Sequence, residues 1–274
     1  MSNYTVINEN IYRLPVPFRD IFTTVYVLKA PDGIILFDTA SYPQDITDRV
    51  VPFLEEIGVT ADMLKYAFIS HKHSDHSGGL AQLMEIFPKT CIVSRSPVLQ
   101  EKFSSFYVLS PEDGHVLLDV FRVVTIPGHS ADSIAILDTR TMTLVTGDCL
   151  QLAGICGSGD WACNITLPAL HLDALEKVSK LGATSIYTAH DYYPMSHEIL
   201  GSEEIARALN ACVSPLRKVA TLIQENPRLD DAAIRELYNS APGLPTICKA
   251  VVTAMRAALT QKEFSDKLFS VAFH

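Results

Sequence analysis

Four residues of the types that ligate metal ions lie within six positions, in the motif His71-x-His73-x-Asp75-His76. The motif directly follows the short apolar run 66–69, which predicts a buried strand. In extended chain that leaves a strand, His71 and His73 point to the same side. Asp75 and His76 lie where the chain turns into the next predicted helix. Imidazole and carboxylate ligands in this arrangement indicate a site for a first-row transition metal.

Three further residues of ligand type each follow a predicted strand. These are His129 after Ile126, Asp148 after Thr146 and His190 after Thr188. Because active sites of α/β proteins gather in the loops beyond strand ends, we expect these side chains to join the motif. Five histidines and two aspartates suffice for two metal ions with open coordination positions, as a catalytic site requires.

The elements that must position these residues divide the chain into two parts. Strands alternate with helices up to Ile92-Val93, and three strand-like runs then follow, so residues 1–200 are of mixed α/β type. After Gly201 only helical periodicity remains. We therefore predict a catalytic α/β domain over 1–200 and a C-terminal helical, substrate-binding extension over 201–274. The predicted elements are a hairpin over 24–38, helices over 45–57, 80–87 and 167–181, strands over 66–69, 121–126, 133–137, 143–146 and 185–188, and C-terminal helices over 202–225, 230–239 and 244–268.

Composition narrows the classes of function. The 274 residues carry a formal net charge of −9 and are 48% apolar, so the chain can bury a core and lacks the basic character of a general nucleic-acid or anionic-membrane binder. The N-terminus shows no secretory signal pattern, and no apolar run is long enough to span a membrane. The six cysteines include no C-x-x-C pair and are expected to be reduced thiols, which predicts a cytoplasmic protein.

The complete set of ligand-type residues, in this chain order, resembles that of the metallo-β-lactamase superfamily, in its dinuclear, glyoxalase II-like hydrolase branch. The resemblance covers roughly residues 1–200 and rests on the His71–His76 motif, His129, Asp148 and His190. It implies a four-layer αββα sandwich with the metal ions at one edge of the two sheets.

The resemblance also implies a role for each ligand. One metal ion would bind His71, His73 and His129, and a second would bind Asp75, His76 and His190, with Asp148 bridging the two. Zinc suits these ligands best, with iron and manganese as alternatives. A hydroxide that bridges the metal ions would then attack the substrate, and Asp75 and Asp148 are the expected catalytic residues. Asp38, at the end of an early strand, would orient a ligand histidine through a hydrogen bond.

Departures from other branches favour a thioester as the substrate. Asp148 and the missing secretory pattern speak against a secreted β-lactamase, and His73 speaks against the flavodiiron proteins, which carry Glu at that position. Glyoxalase II and several related thioesterases have a helical C-terminal region that binds the thiol-bearing part of the substrate, such as a CoA or glutathione adduct. A phosphodiesterase, an endoribonuclease, a lactonase and a non-catalytic sensor remain alternatives, and a homodimer stays open.

Other residues are weaker candidates for substrate contacts. A phenol of Tyr192 or Tyr193 could donate a hydrogen bond to the substrate, although one packed and one exposed ring is the simpler expectation. The glycine-rich segment 154–164, with Trp161, could form a wall of the pocket. An anionic part of the substrate could bind basic residues of the C-terminal helices, for which the candidates are Arg207, Arg217, Lys218, Arg228, Arg235, Lys249 and Arg256.

Overall fold

A computed structural model describes residues 4–155, 163–241 and 245–274. Two compact units make up the chain. The N-terminal unit contains the residues up to Thr125 together with 132–140, and the C-terminal unit contains 126–131 together with 141–274. Across the described ranges the strands belong to two sheets, of seven and six strands.

The N-terminal unit contains a seven-stranded mixed sheet whose strands follow one another in chain order. The first four strands pair antiparallel and the last three join in parallel. The predicted hairpin over 24–38 is confirmed as the third and fourth strands. The strands are β1 (Thr5–Asn8), β2 (Ile11–Phe18), β3 (Ile21–Ala30), β4 (Gly33–Phe37), β5 (Leu64–Phe68), β6 (Cys91–Val93) and β7 (Val108–Leu109).

The helix expected over 45–57 is interrupted by a π-helical turn at Ile46–Val50. The turn leads directly into a helix that has Pro52 in its first turn. Since Pro52 has no N–H to donate to a preceding carbonyl, regular α-helical bonding cannot pass through this position. The helices of this unit are α1 (Pro43–Asp45), α2 (Val51–Glu56), α3 (Ser74–Ser77), α4 (Leu80–Ile86) and α5 (Pro97–Lys102).

One face of the seven-stranded sheet carries an apolar core. Side chains of the π-helical turn, α2 and α4 pack there against alternate residues of β3 and β4, such as Val25, Val27, Ile34 and Leu36. This burial fixes β4 and β5, whose ends carry Asp38 and the His71–His76 motif. Three more strands complete the unit as antiparallel neighbours, namely β8 (Val116–Leu117), β9 (Phe121–Thr125) and β10 (Ile134–Asp138).

The C-terminal unit begins with three strands and a helix. These are β11 (Thr143–Val145), α6 (Pro168–Ser179), β12 (Ser185–Tyr192) and β13 (Ser196–Leu200). Strands β11 and β12 run parallel, and β13 returns antiparallel. The expectation that His190 follows the end of a strand is wrong, because β12 continues to Tyr192. Tyr192 pairs with Ser196 after an irregularity in the β12–β13 register.

Helices fill the rest of the C-terminal unit, as predicted. They are α7 (Gly201–Glu225), α8 (Asp231–Asn239), α9 (Lys249–Ala258) and α10 (Lys262–Ser270). The single helix expected over 244–268 is wrong: α9 begins only at Lys249, and the extended Gln261 separates it from α10. The division of function at residue 200 stays a prediction, since the compact units are divided elsewhere.

Two observations bear on the chemistry of the chain as a whole. None of the described helices is long and apolar enough to cross a membrane. None of the five cysteines within the described ranges forms a disulfide bond.

Candidate metal centre

The four residues of the motif lie together at the end of β5 and the start of α3; we call them the N-terminal half-site. Nε2 of His71 is 2.9 Å from Nδ1 of His73, and Nε2 of His76 is 3.2 Å from Oδ2 of Asp75. Two ligand atoms on a tetrahedral zinc ion are about 3.3 Å apart, given bond lengths of about 2.0–2.1 Å. The spacing of each pair therefore suits shared coordination.

Asp38 orients two of these histidines. Its Oδ2 accepts from Nδ1 of His76 at 2.7 Å and from Oγ of Ser70 at 2.8 Å, while Oδ1 accepts from the Ser70 N–H at 2.7 Å. Because the Ser70 hydroxyl donates its hydrogen bond to Asp38, its oxygen can only accept from Nδ1 of His71, at 3.1 Å. Both imidazoles thus carry a proton on Nδ1 and present the lone pair of Nε2, which is the tautomer that binds a metal ion. The expected hydrogen bond from a ligand histidine to Asp38 is confirmed.

Burial makes this arrangement costly for an isolated carboxylate. Asp38 is fully buried at the end of β4, with a backbone φ of 62°. Burial raises the pKa of Asp38, and the nearby His76 and Ser70 oppose that rise. A buried acidic group that accepts from three donors, and so directs Nε2 of His76 and His71 away from itself, is suited to support a bound cation.

His129, Asp148 and His190 form the C-terminal half-site. The two oxygens of the Asp148 carboxylate approach different histidines. Oδ1 is 3.1 Å from Nε2 of His190, and Oδ2 is 3.7 Å from Nε2 of His129. The Tyr192 hydroxyl donates to Oδ1 at 2.9 Å and fixes the carboxylate. A carboxylate with one oxygen beside each of two histidines has the form of a bridging ligand.

A close approach of α6 positions His129. The Gly128 carbonyl accepts from the N–H groups of Thr166 and Leu167, directly before α6. A Cβ on Gly128 would lie 2.6 Å from Nδ1 and 2.7 Å from Cβ of His171 on α6. Only glycine leaves room for this contact, so packing requires the glycine of the Pro-Gly-His sequence. His171 is itself buried, and burial together with His129 lowers its pKa to about 3.

Two residues that the sequence did not single out contact the imidazole of His129. Nδ1 lies 2.9 Å from the Asn164 carbonyl oxygen and 2.9 Å from Nε2 of Gln151. Ser70 and the role of Tyr192 were also missed. For Gln151 a local sign exists, since it lies three residues beyond Asp148, but nothing in the sequence links Asn164 to His129.

The weaker candidates divide. Tyr192 is fully buried and Tyr193 is 39% exposed, which confirms the expectation of one packed and one exposed ring. The packed ring contacts Asp148. Trp161 lies outside the described residues, so the proposed pocket wall stays a prediction.

Comparison with known proteins finds similar sequences. Residues 19–97 match the family model described as the metallo-β-lactamase superfamily. A hydroxyacylglutathione hydrolase of Francisella tularensis subsp. holarctica is 32% identical over 148 residues, which cover 52% of this chain and 55% of that protein. A β-lactamase-like protein 2 homolog of Caenorhabditis elegans is 24% identical over 237 residues, 83% of this chain and 75% of that protein.

A solved structure agrees in fold. A metallo-β-lactamase family protein from Thermus thermophilus superposes with a TM-score of 0.64 at 18% identity, over 92% of each chain. At that identity the likeness shows the fold alone: an α/β metallo-β-lactamase fold with C-terminal helices. The chain spans about half the length of the Francisella hydrolases it matches.

Proposed function

We propose that the two half-sites together hold two divalent metal ions and that the chain hydrolyses thioesters, because residues 19–97 match the model of the metallo-β-lactamase superfamily and the chain resembles proteins of that family in sequence and fold. In this proposal His71, His73 and His129 bind one ion. Asp75, His76 and His190 bind the other, and Asp148 bridges them. Zinc is the metal ion we propose first, since imidazole and carboxylate ligands suit it.

The observation that carries the proposal of two ions is the geometry of Asp148. Its carboxylate offers Oδ1 beside His190 and Oδ2 beside His129, and Tyr192 holds it in that orientation. A carboxylate that bound only one metal ion would need only one of these two histidines beside it. The half-site of the motif supports the proposal independently, because Asp38 and Ser70 hold His76 and His71 in the tautomer that binds metal ions.

When bound, two such ions supply electrophilic activation of the substrate carbonyl and lower the pKa of water to about 7. The chain's own groups then have three tasks. Asp38 accepts from Nδ1 of His76 directly, and through Ser70 it fixes the Nδ1 proton of His71. Both histidines therefore keep the lone pair of Nε2 free for a metal ion. Tyr192 fixes Asp148. Asp75, whose Oδ2 accepts from the Thr23 hydroxyl at 3.3 Å, accepts the proton that the attacking water loses.

A thioester is the proposed substrate for two reasons. The relatives at 32% identity are named hydroxyacylglutathione hydrolases. A thiolate is also a good leaving group that needs little protonation, so the site does not need a side chain that donates a proton to the leaving group.

The C-terminal helices offer two basic side chains for an anionic part of the substrate. Arg228 and Lys249 are exposed and make no side-chain ion pair or hydrogen bond with a described residue. They line a surface cavity of about 430 Å³ together with Arg256, Asp230 and Asp231. The other five candidates are already engaged: Arg207 by Glu204, Arg217 by the carbonyls of Leu268 and Val271, Lys218 by the Tyr238 ring, Arg235 by Glu236 and Arg256 by Asp231. We therefore assign a carboxylate or phosphate of the thiol-bearing group to Arg228 and Lys249.

The test is hydrolysis of a panel of CoA and glutathione thioesters by zinc- or manganese-loaded protein, with the released thiol detected by a chromogenic disulfide. The double variant His71→Ala, Asp148→Ala is the inactive control, with its fold checked by circular dichroism. The Tyr107→Phe variant, which changes a ring that is 75% exposed, is the control that should keep full activity.

The outcomes separate the parts of the proposal. Turnover that the double variant loses supports a thioesterase, and the panel ranks the acyl groups. If the protein binds two metal ions per chain but cleaves no thioester, the substrate proposal is wrong, and phosphodiesters and lactones are tested next. Metal analysis that finds fewer than two ions per chain refutes the dinuclear centre.

A further inference from the structure

One nitrogen of His129 faces two partners that require opposite protonation. The Asn164 carbonyl oxygen, 2.9 Å from Nδ1, can only accept, so it requires a proton on that nitrogen. The Gln151 amide nitrogen, also 2.9 Å from Nδ1, can only donate, so it requires a lone pair there. Nδ1 can satisfy one of the two at a time.

The Gln151 amide cannot relieve the conflict by turning over. Its Oε1 accepts from the Asn164 backbone N–H at 2.5 Å. A rotation of 180° would leave that N–H facing an NH₂ group, and Gln151 is only 2% exposed, so water cannot compensate. The backbone of Asn164 therefore directs the donor of Gln151 towards His129.

The neighbour of the other ring nitrogen, Nε2, favours the same tautomer, with the proton on Nε2. Oδ2 of Asp148 is 3.7 Å from Nε2 of His129 and favours a proton on that nitrogen. A metal ion at Nε2 demands the reverse, since the ligand atom must carry a lone pair. His76 and His71 differ in this respect, because Asp38 and the Ser70 oxygen accept from their Nδ1 atoms.

We propose that Gln151 is a positioning residue that sets the tautomer of His129 against metal binding. In protein stripped of metal, Gln151 and Asp148 hold the proton on Nε2. When a metal ion binds, the proton moves to Nδ1 and is donated to the Asn164 carbonyl, and Gln151 loses its acceptor. His129 thus binds its ion less tightly than its ligand type alone would allow.

The segment that precedes α9 supports the acceptor in this exchange. The Cys248 thiol donates to Oδ1 of Asn164 at 3.2 Å, and the N–H of Cys163 donates to the Thr246 carbonyl at 3.2 Å. These contacts tie the Asn164 side chain and the neighbouring Cys163 backbone to the segment before α9, so that the position of Asn164 does not depend on Gln151 alone.

Two substitutions of Gln151 test the proposal. In Gln151→Glu the carboxylate accepts from both the Asn164 N–H and Nδ1 of His129, so both neighbours of Nδ1 favour the metal-binding tautomer. Gln151→Met removes the donor without adding charge and serves where a buried carboxylate disturbs folding. Gln224→Glu, an exposed position on α7 in the same unit, is the control for added charge.

The first readout is the ¹⁵N spectrum of the histidine side chains in metal-free protein, assigned to His129 with a His129→Gln variant. We expect an Nε2–H imidazole in the wild type and in Gln224→Glu, and an Nδ1–H imidazole in both Gln151 variants. The second readout is zinc affinity by competition with a chromophoric chelator. We expect binding about tenfold tighter in Gln151→Glu, a size typical of changes to the groups that hold a ligand.

This inference rests on the proposed function only in taking His129 as a metal ligand, and its tests are independent of turnover. An Nδ1–H imidazole in the metal-free wild type would overturn it, as would zinc affinity that is equal or weaker in both Gln151 variants. The absence of thioesterase activity would refute the substrate proposal and leave the tautomer result unaffected.

Discussion

Replacing Asp38 by asparagine should move the proton of two proposed metal ligands, His76 and His71, from Nδ1 to Nε2 while leaving the fold intact. Oδ1 of the new residue can still accept from the Ser70 N–H, but an NH₂ group now stands where Oδ2 accepted from His76 and the Ser70 hydroxyl. His76 can satisfy that group only by accepting at Nδ1, which moves its proton to Nε2. The Ser70 hydroxyl then donates to Nδ1 of His71, which moves that proton as well.

The structure sets the expected size of both effects. Loss of one group that orients a metal ligand costs about 10–100-fold in affinity. Two histidines whose proton lies on Nε2 instead of Nδ1 should therefore weaken zinc binding in Asp38→Asn by about 100-fold or more, which corresponds to about 2.8 kcal/mol. The stability of the metal-free protein should change by less than about 1 kcal/mol, because every donor finds an acceptor again and the burial that raises the pKa of Asp38 no longer opposes a charge.

Zinc affinity is measured by chelator competition, and stability by urea unfolding in the presence of a chelator. Asp138→Asn is the matched control, since Asp138 is equally buried in the same unit but is held by Arg140 at 2.8 and 2.9 Å. That control should lose about 1–3 kcal/mol of stability and keep its zinc affinity. If Asp38→Asn binds zinc as tightly as the wild type, or if both variants lose affinity alike, the argument from tautomers is refuted.

Three further results are expected. Tyr192→Phe removes the donor to Asp148 and should weaken zinc binding about tenfold with little change in fold, whereas an unchanged affinity would deny Tyr192 this role. The pKa of His171 is lowered to about 3 in the folded state, so unfolding takes up a proton between about pH 6.5 and 3, and the free energy of unfolding falls as pH falls through that range. His171→Gln should reduce the dependence of this free energy on pH by up to about 1.4 kcal/mol per pH unit, measured by urea unfolding at several pH values in the presence of a chelator. A dependence equal to that of the wild type would contradict the role of His171. Reversing the charge of Arg228 and Lys249 should raise KM for CoA or glutathione thioesters at least tenfold with kcat unchanged, and equal KM values would exclude them from substrate binding.

The ligand types could be predicted from the sequence because the chemistry is local. The His71–His76 motif directly follows a strand, and its residues meet without help from distant chain. The mixed α/β class and the helical C-terminus also follow from short-range periodicity, and both were predicted correctly. The elements missed include irregular ones, the π-helical turn before Pro52 and the break at Gln261. Regular elements such as β2, β13 and α5 were not predicted either.

The orientation of the ligands could not be predicted, because the groups that set it lie far away in sequence. Asp38 is 38 residues from His76, and Asn164 is 35 residues from His129. Asp38 was anticipated only through the family resemblance. Gln151 and Asn164 belong to no motif, and their effect depends on which atom of each faces the imidazole, which residue types alone do not reveal.

His129 belongs to a different compact unit from the strands that precede and follow it. Residues 126–131 belong to the C-terminal unit, although β9 and β10 belong to the N-terminal unit. The contacts explain this, since the Gly128 carbonyl accepts from the residues before α6 and Nδ1 of the imidazole lies 2.9 Å from both Asn164 and Gln151. A change before α9, such as Cys248→Ala, should therefore alter the ¹⁵N spectrum of His129 and leave those of His71 and His76 unchanged, because Asp38 and Ser70 hold the latter two independently.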